Sequence, residues 1–190
     1  MLSIRIIPKF EPLNNPFLRM PELIEDIKIA SDWLVKVFAE ENLKLDYTIH
    51  SFFEIDKFFT QNMSKGNPIK ESRLSKDLAQ ILFSAGAYVG ETIIQIVPDS
   101  KWVPDETDPQ DEIYVSIKYP DGTIVWPMQK VIQRFRNGGD DSIYPYGYEL
   151  TKEYSNIPFD ETFWEMTPKP APKKAKRWWQ IRKDIQLFRK

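Results

Sequence analysis

The chain has no cysteine in 190 residues and a single histidine, His50. Without cysteine it forms neither disulfides nor thiolate metal sites, which agrees with a reducing compartment. One histidine makes a histidine-based zinc centre and a Ser-His-Asp triad poor expectations, and no other catalytic motif stands out. No run of 18 apolar residues occurs, so no membrane-spanning helix is expected. Met1-Leu2-Ser3-Ile4-Arg5-Ile6-Ile7-Pro8 is too short and too interrupted for a secretory signal, and the expected location is the cytoplasm. What the chain does hold is apolar material: 42% hydrophobic residues, with six Trp and twelve Phe, supply one sizeable core.

The clearest patterning lies in residues 74–138. Leu74, Leu78, Ile81, Leu82, Ala85, Val89 and Ile93 recur at helical steps and predict one long helix with a core-facing stripe, ended by Pro98. Gly86 and Gly90 leave two bare positions on one face of it, where a backbone or a ring can approach closely. Tight packing is the favoured reading there over a ligand seat. Ile113-Tyr114-Val115-Ser116-Ile117-Lys118-Tyr119 alternates, and Thr123-Ile124-Val125-Trp126 follows across Pro120-Asp121-Gly122, which predicts a β-hairpin. A strand at Lys101-Trp102-Val103 is expected beside it, with Trp102 and Trp126 both packed on the long helix. Pro127 suits the first turn of a further helix with Met128, Val131, Ile132 and Phe135 as its stripe, and Gly138 stops it.

Upstream, Pro21-Glu22 opens a helix whose Leu23, Ile27, Ala30, Leu34, Val37 and Phe38 share a face. Ser51 and Glu54 have capping-box spacing for a second helix that buries Phe52, Ile55, Phe58 and Phe59. Ser64-Lys65-Gly66-Asn67-Pro68 reads as a loop, Ile4-Arg5-Ile6-Ile7 as an edge strand, and Asp140 and Asp141 as N-caps for a segment carrying Ile143, Tyr144, Tyr148 and Leu150. The expected fold is a single α+β domain over residues 1–167. Its small antiparallel sheet, a hairpin near 113–126 plus a strand near 101–103, is covered by helices.

Charge divides the chain. Residues 169–190 carry nine basic side chains and one acid, net +8, while the rest carries 17 basic and 27 acidic, net −10. Pro168, Pro170 and Pro172 make residues 168–190 a proline-rich linker followed by a basic segment, in which Trp178, Ile181, Ile185 and Phe188 fall on one helical face. Docking on its own acidic body is the favoured fate. An anionic membrane surface, a partner protein or nucleic acid are the others.

Candidate chemistry competes with plainer roles. Asp105, Glu106, Asp108, Asp111 and Glu112 lack the ligand alternation and central Gly of an EF-hand loop, so a solvated loop is expected and no metal. Glu91 facing Lys130 and Arg134, with Tyr88 and Trp102 nearby, forms a candidate binding set, although structural ion pairs are the commoner outcome. His50 reads as a capping or surface residue. Tyr144, Tyr146, Tyr148 and Tyr154 are candidates for a recognition surface. No cofactor is implied.

Several of these residues occur in a familiar order. Leu45-Asp46-Tyr47-Thr48 with Ser51 and Asp56, then Gly86-Ala87-Tyr88-Val89-Gly90-Glu91, Lys101-Trp102-Val103, Trp126-Pro127-Met128-Gln129-Lys130-Val131, and Asn137-Gly138 with Asp141-Ser142 resemble a family of small uncharacterised bacterial proteins. The resemblance covers residues 45–150 and leaves the basic tail outside. It implies a bacterial, cytosolic setting and a core of helix, hairpin and helix, and it carries over no established activity. The expected function is non-enzymatic: an accessory or immunity-like protein that binds another macromolecule, most simply a protein. The alternative is a small hydrolase or ligand-binding protein with a pocket near Glu91 and Arg134.

Overall fold

In the computed structural model, residues 16–104 and 114–166 are described. Three expectations lie outside them: the edge strand at residues 4–7, the acidic loop at 105–112 and the tail at 168–190.

Helix α1 runs over Pro16–Glu40, so Pro21 lies inside it instead of opening it. A proline there forfeits one backbone bond near the helix start, while Ile27, Leu34, Val37 and Phe38 are buried along the rest and hold α1 against the fourth helix. Helix α2 (Ser51–Asn62) buries Phe52, Ile55, Phe58 and Phe59, as its spacing requires. The expected loop after it is a tight hairpin, β1 (Met63–Ser64) with β2 (Asn67–Pro68). Lys65 at φ +51° and Gly66 at φ +79° supply the two left-handed residues of a two-residue turn.

The long helix expected from Leu74 is broken. A short α3 (Arg73–Lys76), capped where Ser72 Oγ accepts the Ser75 N–H, precedes α4 (Leu78–Ile96), and Asp77 leaves helical geometry between them at φ −119°, ψ 33°. Aspartate is a weak helix former, and here its carboxylate forms an ion pair with Arg73, Oδ2 lying 2.9 Å from Nε. Leu74 stays buried, so the apolar stripe continues in phase across the break.

The α+β expectation holds. Strands β3 (Lys101–Val103), β4 (Ser116–Lys118) and β5 (Ile124–Val125) form a three-stranded antiparallel sheet in that order. Trp102 lies opposite Ile117, which lies opposite Val125, and directly opposed residues share a face, so these three form one buried row. Lys101, Lys118 and Ile124 form the row on the other face. Gly122, at φ +90°, closes the hairpin.

Helix α5 (Pro127–Asn137) starts on its proline and stops at Gly138, φ +67°. A 3-10 turn (Gly138–Asp141), α6 (Ile143–Thr151) and a short α7 (Phe163–Met166) follow. The glycines of α4 do what their spacing implies. Gly86 lies against the backbone of Met128 in α5, and Gly90 lies directly under the Trp102 ring, so α4 carries α5 and the sheet on bare positions. No helix among the described residues is long and apolar enough to cross a membrane.

Candidate functional site

A carboxylate on the apolar face of α2 organises the centre of the molecule. Asp56 is fully buried beside Ile55, Phe58 and Phe59, where an uncompensated charge is not tolerated. Its Oδ1 accepts Arg134 Nε of α5 at 2.6 Å, and its Oδ2 accepts the N–H groups of Ile143 and Tyr144 at 2.8 Å each. Arg134 Nη2 also donates to the Asp56 carbonyl at 3.1 Å and to Thr60 Oγ1 at 2.9 Å. Burial pushes the Asp56 carboxyl up from its ordinary range, against the pull of Arg134 and the two backbone N–H groups. One side chain of α2 thus pairs with α5 and caps the positive end of α6. That cap was expected from Asp140 or Asp141. Asp141 instead accepts Asn137 Nδ2 at 2.6 Å and lies 3.6 Å from Lys130 Nζ.

A second polar chain runs from the loop before α2 into α4. The Tyr47 N–H donates to the buried Tyr88 hydroxyl at 2.7 Å, and Ser51 Oγ donates to the Thr48 carbonyl at 2.6 Å. Ser51 has one proton, so the 2.6 Å contact between the two hydroxyls is donated by Tyr88. Ser51 is therefore not the expected capping-box residue; His50 occupies the N-cap position, and the Ser51 hydroxyl is committed to Thr48 and Tyr88. These bonds hold Tyr47 in a left-handed conformation at φ +57°, with its ring 4.7 Å from that of Tyr88. The Tyr47 hydroxyl donates to Asp32 Oδ1 at 3.0 Å and meets Ser31 Oγ at 2.9 Å.

Burial raises the phenols of Tyr88, Tyr119, Tyr144 and Tyr146, and pushes Tyr47 up to about 12. The folded chain thus holds these protons more tightly than the unfolded chain, where tyrosine titrates near about 10. Their stabilisation is complete below that pH and is lost as pH rises through the folded values. In an alkaline titration, tyrosinate absorbance and loss of the helical circular dichroism should therefore rise together above about pH 10. Full tyrosine ionisation with an intact helix signal would contradict this.

The five candidate binding residues, Tyr88, Glu91, Trp102, Lys130 and Arg134, do not converge on one space. Tyr88 belongs to the hydroxyl chain. Glu91 Oε1 accepts Trp102 Nε1 at 2.8 Å, which fixes the ring that covers Gly90. Arg134 serves Asp56, and Lys130 lies near Asp141 and 5.1 Å from the centre of the Tyr146 ring. The carboxylate facing a basic pair is thus replaced by separate pairs. Asp56 is the residue that the site reading missed; a lone Asp within the stripe Phe52, Ile55, Phe58 and Phe59 was its sequence signal.

Other candidates divide between core and surface. Trp126, expected in the core, is 43% exposed. It follows Val125 with near-extended backbone, φ −121° and ψ 85°, so alternation turns it away from the buried row. Tyr144 is buried among Phe53, Phe159 and Phe163, so the four tyrosines do not share one surface; Tyr154 remains exposed. His50 is exposed, as expected, and lies 3.8 Å from Asp160. A cleft between Ile49, Tyr144, Tyr148 and Ile157 offers about 10 Å³, one water's worth of room. No family model matches the chain, and no curated protein or solved structure matches it.

Proposed function

We propose that the protein is a non-enzymatic accessory or immunity-like protein of the bacterial cytosol that binds another protein through the outer face of its three-stranded sheet. The observation that carries this reading is Trp126, a large amphipathic residue left 43% exposed, which strand alternation after Val125 puts on the side of Ile124 and the opposed lysines Lys101 and Lys118. Exposed aromatic anchors of this kind dominate binding energy at protein interfaces. Two like charges directly opposite across strands cost about 0.2–1 kcal/mol. Neither lysine pairs with a carboxylate among the described residues, so an acidic partner surface relieves that repulsion. Behind this face, Gly90, Glu91 and Trp102 fix the sheet on α4, which gives the candidate residues a positioning role. The hydrolase alternative draws on Glu91 and Arg134, whose side chains are engaged with Trp102 and Asp56.

A photoreactive phenylalanine analogue at position 126, introduced in the source cell, tests the reading. One defined protein adduct is expected at 126 and none with the same probe at Ile29, which is 60% exposed on α1. No adduct at 126, or the same adduct at both positions, would overturn it. Trp126→Ala itself is expected to change stability by no more than about 1 kcal/mol in urea denaturation, because 43% of the residue's surface is already in water.

A further inference from the structure

We infer that the basic segment 173–190 docks on its own chain, on the acidic and apolar patch formed by the end of α6 and residues 152–166. The inference concerns a different surface from the sheet face and stands apart from it. Two properties of the patch match the segment. Residues 149–166 carry Glu149, Glu153, Asp160, Glu161 and Glu165 against the single base Lys152, opposite the net +8 of residues 169–190. The same stretch carries apolar surface: Ile157 is 52% and Tyr154 42% exposed, and the partly buried Tyr148 lines a cleft with Ile157 and meets the ring of Phe159. Trp178, Ile181, Ile185 and Phe188 recur at helical spacing and supply the complementary apolar residues.

Reach favours the same place. The described chain ends at Met166 in α7, which packs against Phe159, and Ile157 lies nine residues before Met166. The residues between Met166 and Trp178, extended at about 3.1 Å each, span roughly 30 Å, and such a tether gives an effective concentration in the millimolar range. Other exposed apolar positions fit less well. The sheet face carries Lys101 and Lys118, which repel a basic segment, and Ile29 on α1 has Lys28 and Lys36 among its acidic neighbours. Surface charge pairs are screened within about 8 Å at physiological salt, so the acids orient the segment and the apolar stripe holds it.

Because the chain has no cysteine, two introduced ones report only on each other. Ile157→Cys with Ile185→Cys, in the dilute full-length protein under mild oxidation, is expected to close an intramolecular disulfide about ten-fold faster than Ile29→Cys with Ile185→Cys. Tyr154→Cys with Ile185→Cys repeats the measurement at a neighbouring exposed position. Glu153→Lys with Glu165→Lys should slow closure several-fold. Equal rates at positions 157 and 29 would overturn the inference. So would disulfide-linked dimers as the main product at every dilution, which would make a second copy the occupant, or loss of closure on adding phosphatidylglycerol vesicles at physiological salt, which would make it a membrane.

Discussion

Asp56→Ala is expected to cost about 3–5 kcal/mol of stability, the range for removing one partner of a buried ion pair. The loss has two physical parts. Arg134, only 3% exposed, would keep its charge with no carboxylate to receive Nε. The N–H groups of Ile143 and Tyr144 would lose their acceptor at the start of α6, where loss of a cap alone is worth about 0.5–2 kcal/mol. Urea denaturation of the full chain measures the change. Asp56→Leu combined with Arg134→Met should recover part of the loss, since an apolar pair leaves no buried charge, although the α6 cap stays missing. A loss below about 1 kcal/mol for Asp56→Ala would mean that Arg134 finds another anion and that the three-helix link is not as described.

Trp102→Ala is expected to cost about 3–5 kcal/mol, because it empties the volume between Gly90 and the row of Ile117 and Val125. Gly90→Leu approaches the same contact from the other side. A side chain there collides with a ring that Glu91 holds by its indole N–H, so overpacking should cost about 1–3 kcal/mol. The two changes should not add. Once the ring is gone, the leucine has room, and the double variant should be more stable than the sum of the single losses predicts. If Gly90→Leu raised the melting temperature, helix propensity would outweigh packing, and the close approach of sheet to α4 would be refuted.

What the sequence shows of this fold is what depends on neighbours along the chain. The stripes of α1, α2, α4 and α5, the hairpin across Pro120-Asp121-Gly122 and the bare face at Gly86 and Gly90 each follow from local spacing. The break at Asp77 escapes, because the stripe from Leu74 to Ile93 stays in phase across it. The cap of α6 escapes for a different reason: its carboxylate comes from Asp56, 87 residues before Ile143, while Asp140 and Asp141 stand nearby as ordinary cap formers. Ser51 has the right chemistry for a cap, but the Tyr88 hydroxyl lies within reach and redirects it. Trp126 was legible: if Val125 faces the core, alternation sends its neighbour outward. The candidate set Tyr88, Glu91, Trp102, Lys130 and Arg134 collected residues that matter to the packing, yet each partner is set by tertiary contacts that spacing does not encode.

The central claim is that the sheet face binds while the polar network behind it holds the fold. Partner affinity and melting temperature measured together for Trp126→Ala test it most directly. The prediction is a melting temperature close to that of the parent and an affinity weaker by about 30-fold, the equivalent of about 2 kcal/mol at an anchor residue. Undiminished affinity in Trp126→Ala, for a partner that the parent chain binds, would contradict the claim.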